Sequence, residues 1–158
     1  MTSRRAGARA LAALLALGVI GSCTGTNPTP TATPAIELPA SITVALGIYS
    51  GRPDPAWDLA AAQVAQVTSA IAALPVATGT PPEGGLGYRG FSLLLQFPAQ
   101  ADQTLVAFRG LVAPLGVGAR SVYVDDGRTI ERLLLDTGRS ILNSDEIAAV
   151  EADFALAP

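Results

Sequence analysis

The stretch SITVALGIYSGRPDPAWDLAAAQVAQVTSAIAALP, residues 41 to 75, decides how the fold is read. Its first nine residues alternate, so that Ile42, Val44, Leu46 and Ile48 share one face, as in a half-buried strand. SGRPDPAW follows, a turn-rich loop with two prolines. Asp58 then stands where a helix N-cap belongs, because a short carboxylate can accept from the free amides of a first turn. Ala60, Val64, Val67, Ile71 and Leu74 recur at helical spacing until Pro75 stops the run, with Gln63, Gln66 and Ser69 opposite. The helix carries no charge, which predicts that much of its surface is covered.

Downstream, ATGTPPEGGLG at 77 to 87 is a Gly/Pro-rich loop. YRGFSLLLQF places Phe91, Leu93, Leu95 and Phe97 on one strand face. TLVAFRGLV (104–112) and ARSVYV (119–124) are further strands, joined by APLGVG. DDGRTIERLLLDTG reads as a helix from near Gly127, with Gly138 just past its end. Asn143 and Glu146 make an Asn-initiated capping box ahead of a last helix with Ile147, Val150 and Phe154 inward. The order β-α-β-β-β-α-α predicts an α+β fold: a single small domain over residues 36 to 158, with a mostly antiparallel sheet of about four strands and helices packed on one face.

The N-terminus has a different character. MTSRRAGARA carries Arg4, Arg5 and Arg9 and no acid, and LAALLALGVIG then runs without a charge. A basic region before a short apolar one is a secretory signal, too short for a membrane span of about 20 apolar residues. It ends at Ile20-Gly21-Ser22-Cys23, and Cys23 is the only cysteine in the chain. That ending resembles the lipobox of bacterial lipoproteins. The resemblance implies that residues 1 to 22 are cleaved and that Cys23 becomes a lipidated first residue. Two or more acyl chains there give stable anchoring, since one gives only marginal binding. TGTNPTPTATP follows, and residues 23 to 35 read as the lipidated cysteine and a Thr/Pro-rich tether. In extended polyproline II geometry, at about 3.1 Å per residue, it holds a domain roughly 35 Å from the bilayer. The expected location is the extracytoplasmic face of the cell membrane, with the membrane itself as partner through Cys23.

Composition removes most chemistries. There is no histidine and no lysine. Without them there is no Ser-His-Asp triad, no imidazole base, no Schiff base and no ordinary catalytic zinc site. After loss of residues 1 to 22 the chain has seven arginines against thirteen acids, a formal charge of −6. That balance argues against nucleic acid as a partner, because phosphate binding needs clustered cations. No catalytic residues, metal or cofactor are expected. Carboxylate pairs are the enzyme chemistry left open, with Asp54 and Asp58, or Asp125 and Asp126, as the pairs. Asp58 is better explained as a helix cap, and Asp126 likewise stands where the next helix begins. Asp125-Asp126-Gly127 lacks the further oxygen ligands of a calcium loop.

SGRPDPAW is the most unusual segment. Arg52 offers a five-donor fork and Trp57 a large flat face on a stiff loop, both common at binding hot spots. The alternative is structural: Trp57 staples the following helix, and Arg52 bridges a carboxylate or caps carbonyls. IYSGRPDPAW, the Ala-rich helix and LGYRGF at 86 to 91 together resemble a family of uncharacterised secreted bacterial proteins. These carry an S-G-R-P-[N/D]-P-x-W segment and a Y-R-G-F-like strand start. The resemblance covers most of residues 42 to 154 and implies domain bounds but no activity. It adds Tyr88 and Arg89 to Arg52, Asp54 and Trp57 as candidate binding residues. The expected function is a binding or interaction module at the cell envelope, with an envelope protein or glycan as partner. The alternatives are a carboxylate-dependent, glycan-directed hydrolase and a purely structural envelope component.

Overall fold

The computed structural model describes residues 38–80, 85–115 and 121–156, which fall within a compact unit spanning Ile36–Pro158. The signal segment, Cys23 and the tether lie outside the described residues. Strands β1 (Ser41–Leu46), β2 (Ala56–Asp58), β3 (Val76–Thr78), β4 (Phe91–Gln96), β5 (Gln103–Phe108), β6 (Leu111–Pro114) and β7 (Ser121–Val124) form one sheet in the order β2-β1-β4-β5-β6-β7-β3. Every pairing is antiparallel. The helices are α1 (Ala61–Ala72), α2 (Thr129–Gly138) and α3 (Ser144–Phe154). The α+β class stands, but the expectation of about four strands is corrected to seven among the described residues.

The three additional strands have separate causes. TLVAFRGLV is not one strand. Phe108 pairs with Leu111 across a two-residue turn in which Arg109 (φ 47°) and Gly110 (φ 77°) both take the left-handed conformation. Positive φ at both central residues is the geometry of a type I′ hairpin, whose twist matches that of its strands. Arginine is an unusual occupant of its first position, so the turn carries no Asn-Gly or Asp-Gly flag. Strands β2 and β3 are three residues each and pair only at the two sheet edges, against β1 and β7. Short edge strands have little periodicity to detect.

Register places Ile42 opposite Leu95, Val44 opposite Leu93, and Leu46 opposite Phe91. All six are buried, along with Leu105, Ala107 and Val112 on the strands beyond. The alternation foreseen for β1 therefore holds, and it defines the covered face. Helix α1 lays Val64, Val67 and Ile71 on that face. Ala61, Ala62, Ala65, Gln66, Ser69 and Ala72 are exposed, which corrects the expectation that a charge-free helix is largely covered. Alanine exposes so little apolar area that a bare Ala-rich face is cheap.

The helix starts also differ in detail. Asp58 closes β2 and accepts from Thr43 Oγ1 (2.6 Å), so it does not cap α1. The cap position is Ala60, and Gln63 Oε1 reaches back to its backbone N–H (2.9 Å). For α2 the anchoring carboxylate is Asp125, not Asp126. Its oxygens accept from Thr129 N (2.8 Å) and Ile130 N (2.7 Å). Gly138 is the last residue of α2 and not beyond it. The capping box on α3 is as expected: Asn143 Oδ1 accepts from Asp145 N and Glu146 N, and Glu146 Oε2 accepts from Asn143 N.

Candidate functional site

The loop after β1 carries the motif, and its fold explains most of the motif's residues. Asp54 Oδ1 accepts from the backbone N–H groups of Ile48 (3.0 Å) and Tyr49 (2.8 Å). Its other oxygen takes a hydrogen bond from Arg89 Nη2 (3.1 Å), and the same nitrogen donates to Tyr49 O (2.9 Å). An Asp in a tight loop satisfies backbone donors in this way. The Arg89 guanidinium ties the start of β4 to the same loop. The two motifs noticed in the sequence are thus one structural clasp.

Trp57 is buried by its position in β2, opposite Val44 on the covered face. Its Nε1–H donates to Thr137 Oγ1 (3.0 Å), and its ring meets Phe91 edge-on at 6.3 Å. A Cβ on Gly138 would lie 2.6 Å from the indole Cζ2, so only glycine lets α2 approach the ring this closely. Trp57 joins β2 to α2. The residue ahead of the Ala60 cap, where a staple would stand, is Leu59 and not Trp57.

Tyr88 is buried as well, edge-on to Phe91 and Phe108, with its hydroxyl donating to Glu131 Oε2 (2.6 Å). Burial, followed by the Glu131 charge, pushes its phenol far above the usual tyrosine range. Glu131 Oε1 accepts from Gly110 N (3.0 Å), so one buried carboxylate holds Tyr88 and the hairpin turn together.

Arg52 remains. It is exposed, and its guanidinium sits 3.4 Å above the centre of the Tyr49 ring. Tyr49 Oη donates to Glu146 Oε1 (2.6 Å) at the start of α3. That hydrogen bond is the leading reason the Tyr49 phenol lies above its ordinary value and the Glu146 carboxyl below its own. Of the five candidates, the structure gathers Arg52, Asp54 and Arg89 around Tyr49, and it sets Trp57 and Tyr88 in the core.

Sequence reasoning missed a second polar cluster nearby. Arg128 takes the left-handed conformation (φ 52°), and its side chain is 4 % exposed. Its Nη1 donates to Asp153 Oδ2 (2.9 Å) and Asp153 O (2.9 Å), and its Nε lies 3.9 Å from Glu131 Oε1. Arg109, from the hairpin turn, donates to Asp153 Oδ1 (2.8 Å). Burial raises the Asp153 carboxyl, but hydrogen bonds from Arg109 and then Arg128 outweigh it and hold the group below its ordinary value. Arg128 Nε and Nη2 make no hydrogen bond among the described residues. The only sequence signal for this cluster was polar residues spaced as if they belonged to helix interiors.

The nominated acids are mostly committed. Asp54 holds a loop, Asp58 accepts from Thr43, and Asp125 caps α2 with both oxygens. Asp126 is exposed. Calcium at 125–127 would compete with two backbone N–H donors for Asp125, and among the described residues no group of three acidic or cysteine side chains is placed to hold a metal. No helix among them is long and apolar enough to cross a membrane. No family model, curated protein or solved structure matches the chain.

Proposed function

We propose that this chain is a lipid-anchored cell-envelope protein acting as a non-catalytic binding module, held through Cys23 and engaging an envelope protein or glycan through Arg52 and Tyr49. The observation that carries the recognition half is the exposed Arg52 guanidinium stacked on Tyr49, on a loop stiffened by Asp54 and Arg89. A stacked guanidinium keeps its donors outward and loses little side-chain freedom on binding. A carboxylate-dependent hydrolase is less well supported, because Asp54, Asp58 and Asp125 all accept internal hydrogen bonds. The anchoring half rests on the basic, apolar and Ile20-Gly21-Ser22-Cys23 sequence alone.

Two experiments test the halves separately. Cys23→Ala is expected to abolish fatty-acid labelling and leave the precursor uncleaved at Ser22–Cys23; normal labelling refutes the anchor. Arg52→Ala is expected to weaken co-sedimentation with purified cell-wall polymer, or crosslinking to an envelope protein, by about tenfold or more, as for a hot-spot arginine. Retained binding by a variant with unchanged Trp57 emission refutes the recognition site.

A further inference from the structure

The sheet ends at β2, and the outer side of that strand has no strand beside it among the described residues. Leu46 N donates to Pro55 O (2.9 Å) and Leu59 N to Ile42 O (3.0 Å), so Pro55, Trp57 and Leu59 turn their backbone toward β1. Bonding sides alternate along an antiparallel strand, so the N–H and C=O of Ala56 and Asp58 point outward. Both residues are exposed, and Trp57 between them is buried. We propose that an extended peptide ending in a carboxylate adds to this edge as a further, antiparallel strand, with Arg52 holding the carboxylate. The Arg52 anchor rests on the recognition site proposed above; the β2 edge does not.

The backbone supplies the first part of the case. Outward N–H and C=O groups at strand spacing are what an incoming peptide strand pairs with. A glycan has hydroxyls but no such repeat of amide donors and carbonyls, so the edge favours a peptide. Edges are commonly blunted by lysine, proline or a bulge. Here Pro53 and Pro55 stop short of the outward groups, and Ala56 presents only a methyl. Three residues offer few hydrogen bonds, so a bound peptide needs a second anchor. Charge supplies it. Arg89, Arg109, Arg128 and Arg139 pair with carboxylates, whereas Arg52 pairs with none among the described residues. Glu146, beyond the Tyr49 ring, is committed to Tyr49 Oη and Asn143 N. Direction follows from the same groups. A peptide antiparallel to β2 brings its C-terminus to the Ala56 end, and Arg52 stands four residues before Ala56 on the loop fixed by Asp54 and Arg89. The exposed Asp58 carboxylate repels an acidic terminus from the opposite end.

The test uses the full chain in detergent micelles and a mixed-sequence pool of N-acetylated hexapeptides, made with free C-terminal carboxylates and again as C-terminal amides. Retention is read by mass spectrometry, and amide hydrogen exchange by NMR. The acid pool should be retained about tenfold over the amide pool and should slow exchange at Ala56 and Asp58. Ala56→Pro removes an outward N–H that bonds nothing within the sheet, and should lower retention of both pools. Arg52→Ala should erase the preference for the acid. Unslowed exchange at Ala56 and Asp58, or full retention by Ala56→Pro with unchanged Trp57 emission, overturns the proposal. If that variant alters the emission, pools N-methylated at alternate amides replace it, and undiminished retention of those pools overturns the proposal equally. Slowing that rises with protein concentration and needs no peptide shows a second copy on the edge and also overturns it. Arg52-dependent binding of cell-wall polymer without slowing at β2 leaves the recognition site standing and overturns the added strand. Slowing at β2 with equal retention of acid and amide overturns the role of Arg52.

Discussion

Removing the Asp153 carboxylate should be among the most damaging single changes to this fold. Asp153 is the shared partner of Arg128 and Arg109, and the Arg128 side chain is only 4 % exposed. In Asp153→Ala the guanidinium keeps one hydrogen bond to the Asp153 backbone oxygen and a 3.9 Å approach to Glu131, but loses the one close carboxylate it has among the described residues. Breaking a buried pair from one side costs about 3–5 kcal/mol. That is a large share of the roughly 5–15 kcal/mol by which a domain of this kind is stable. At a melting-temperature shift of about 3 °C per kcal/mol for this size, Tm should fall by roughly 10–15 °C. Urea titration followed by Trp57 emission reads the loss directly, since Trp57 is the only tryptophan and is buried. Arg128→Met should be much milder, and Arg128→Met with Asp153→Leu should recover most of the loss, because an apolar pair leaves no charge uncompensated. A cost under about 1 kcal/mol for Asp153→Ala, or equal costs for the two single variants, would refute the reasoning.

Trp57 emission should be blue-shifted and poorly quenched by acrylamide, and red-shifted emission from the native chain would contradict its place in the core. Gly138→Ala drives a methyl into the indole and should cost about 1–3 kcal/mol with a change in that emission; a neutral result would mean α2 can move away freely. Stability should fall at both ends of the pH scale. The Glu146 and Asp153 carboxyls titrate lower in the folded chain than in the unfolded one, so their contribution is present above roughly pH 4 and is lost as pH drops through the folded values. Tyr88 titrates higher when folded, so its contribution is complete below about pH 10 and disappears as pH rises beyond it. Tyr88→Phe should flatten the alkaline limb of a melting-temperature profile while leaving the acid limb in place.

The motif SGRPDPAW shows how far residues can be read without their neighbours. Its stiffness and the presence of a loop are legible from two prolines and a glycine. Its division into structural and exposed parts is not, because Asp54 depends on Arg89, thirty-five residues away, and Trp57 on a glycine in α2. Arg52 is the outward residue because Asp54 is held by loop amides and Arg89, and Trp57 is buried against α2. Tyr49, which reads in the sequence as the end of a strand, is its stacking platform.

Local chemistry alone determined the capping box at Asn143, the α1 stripe of Val64, Val67 and Ile71, and the alternation that buries Ile42, Val44 and Leu46. Each depends on atoms within a few residues of one another, so a short window contains the whole cause. Tertiary structure decided the strand count, the Arg109–Gly110 turn and the Arg128–Asp153 cluster. In the turn, Asp153 and Glu131 hold Arg109 and Gly110 from outside the hairpin. At the edges, β2 and β3 are strands because β1 and β7 offer them hydrogen bonds. A three-residue strand has too little surface to specify itself, and a buried charge is tolerated only where distant parts of the chain meet it.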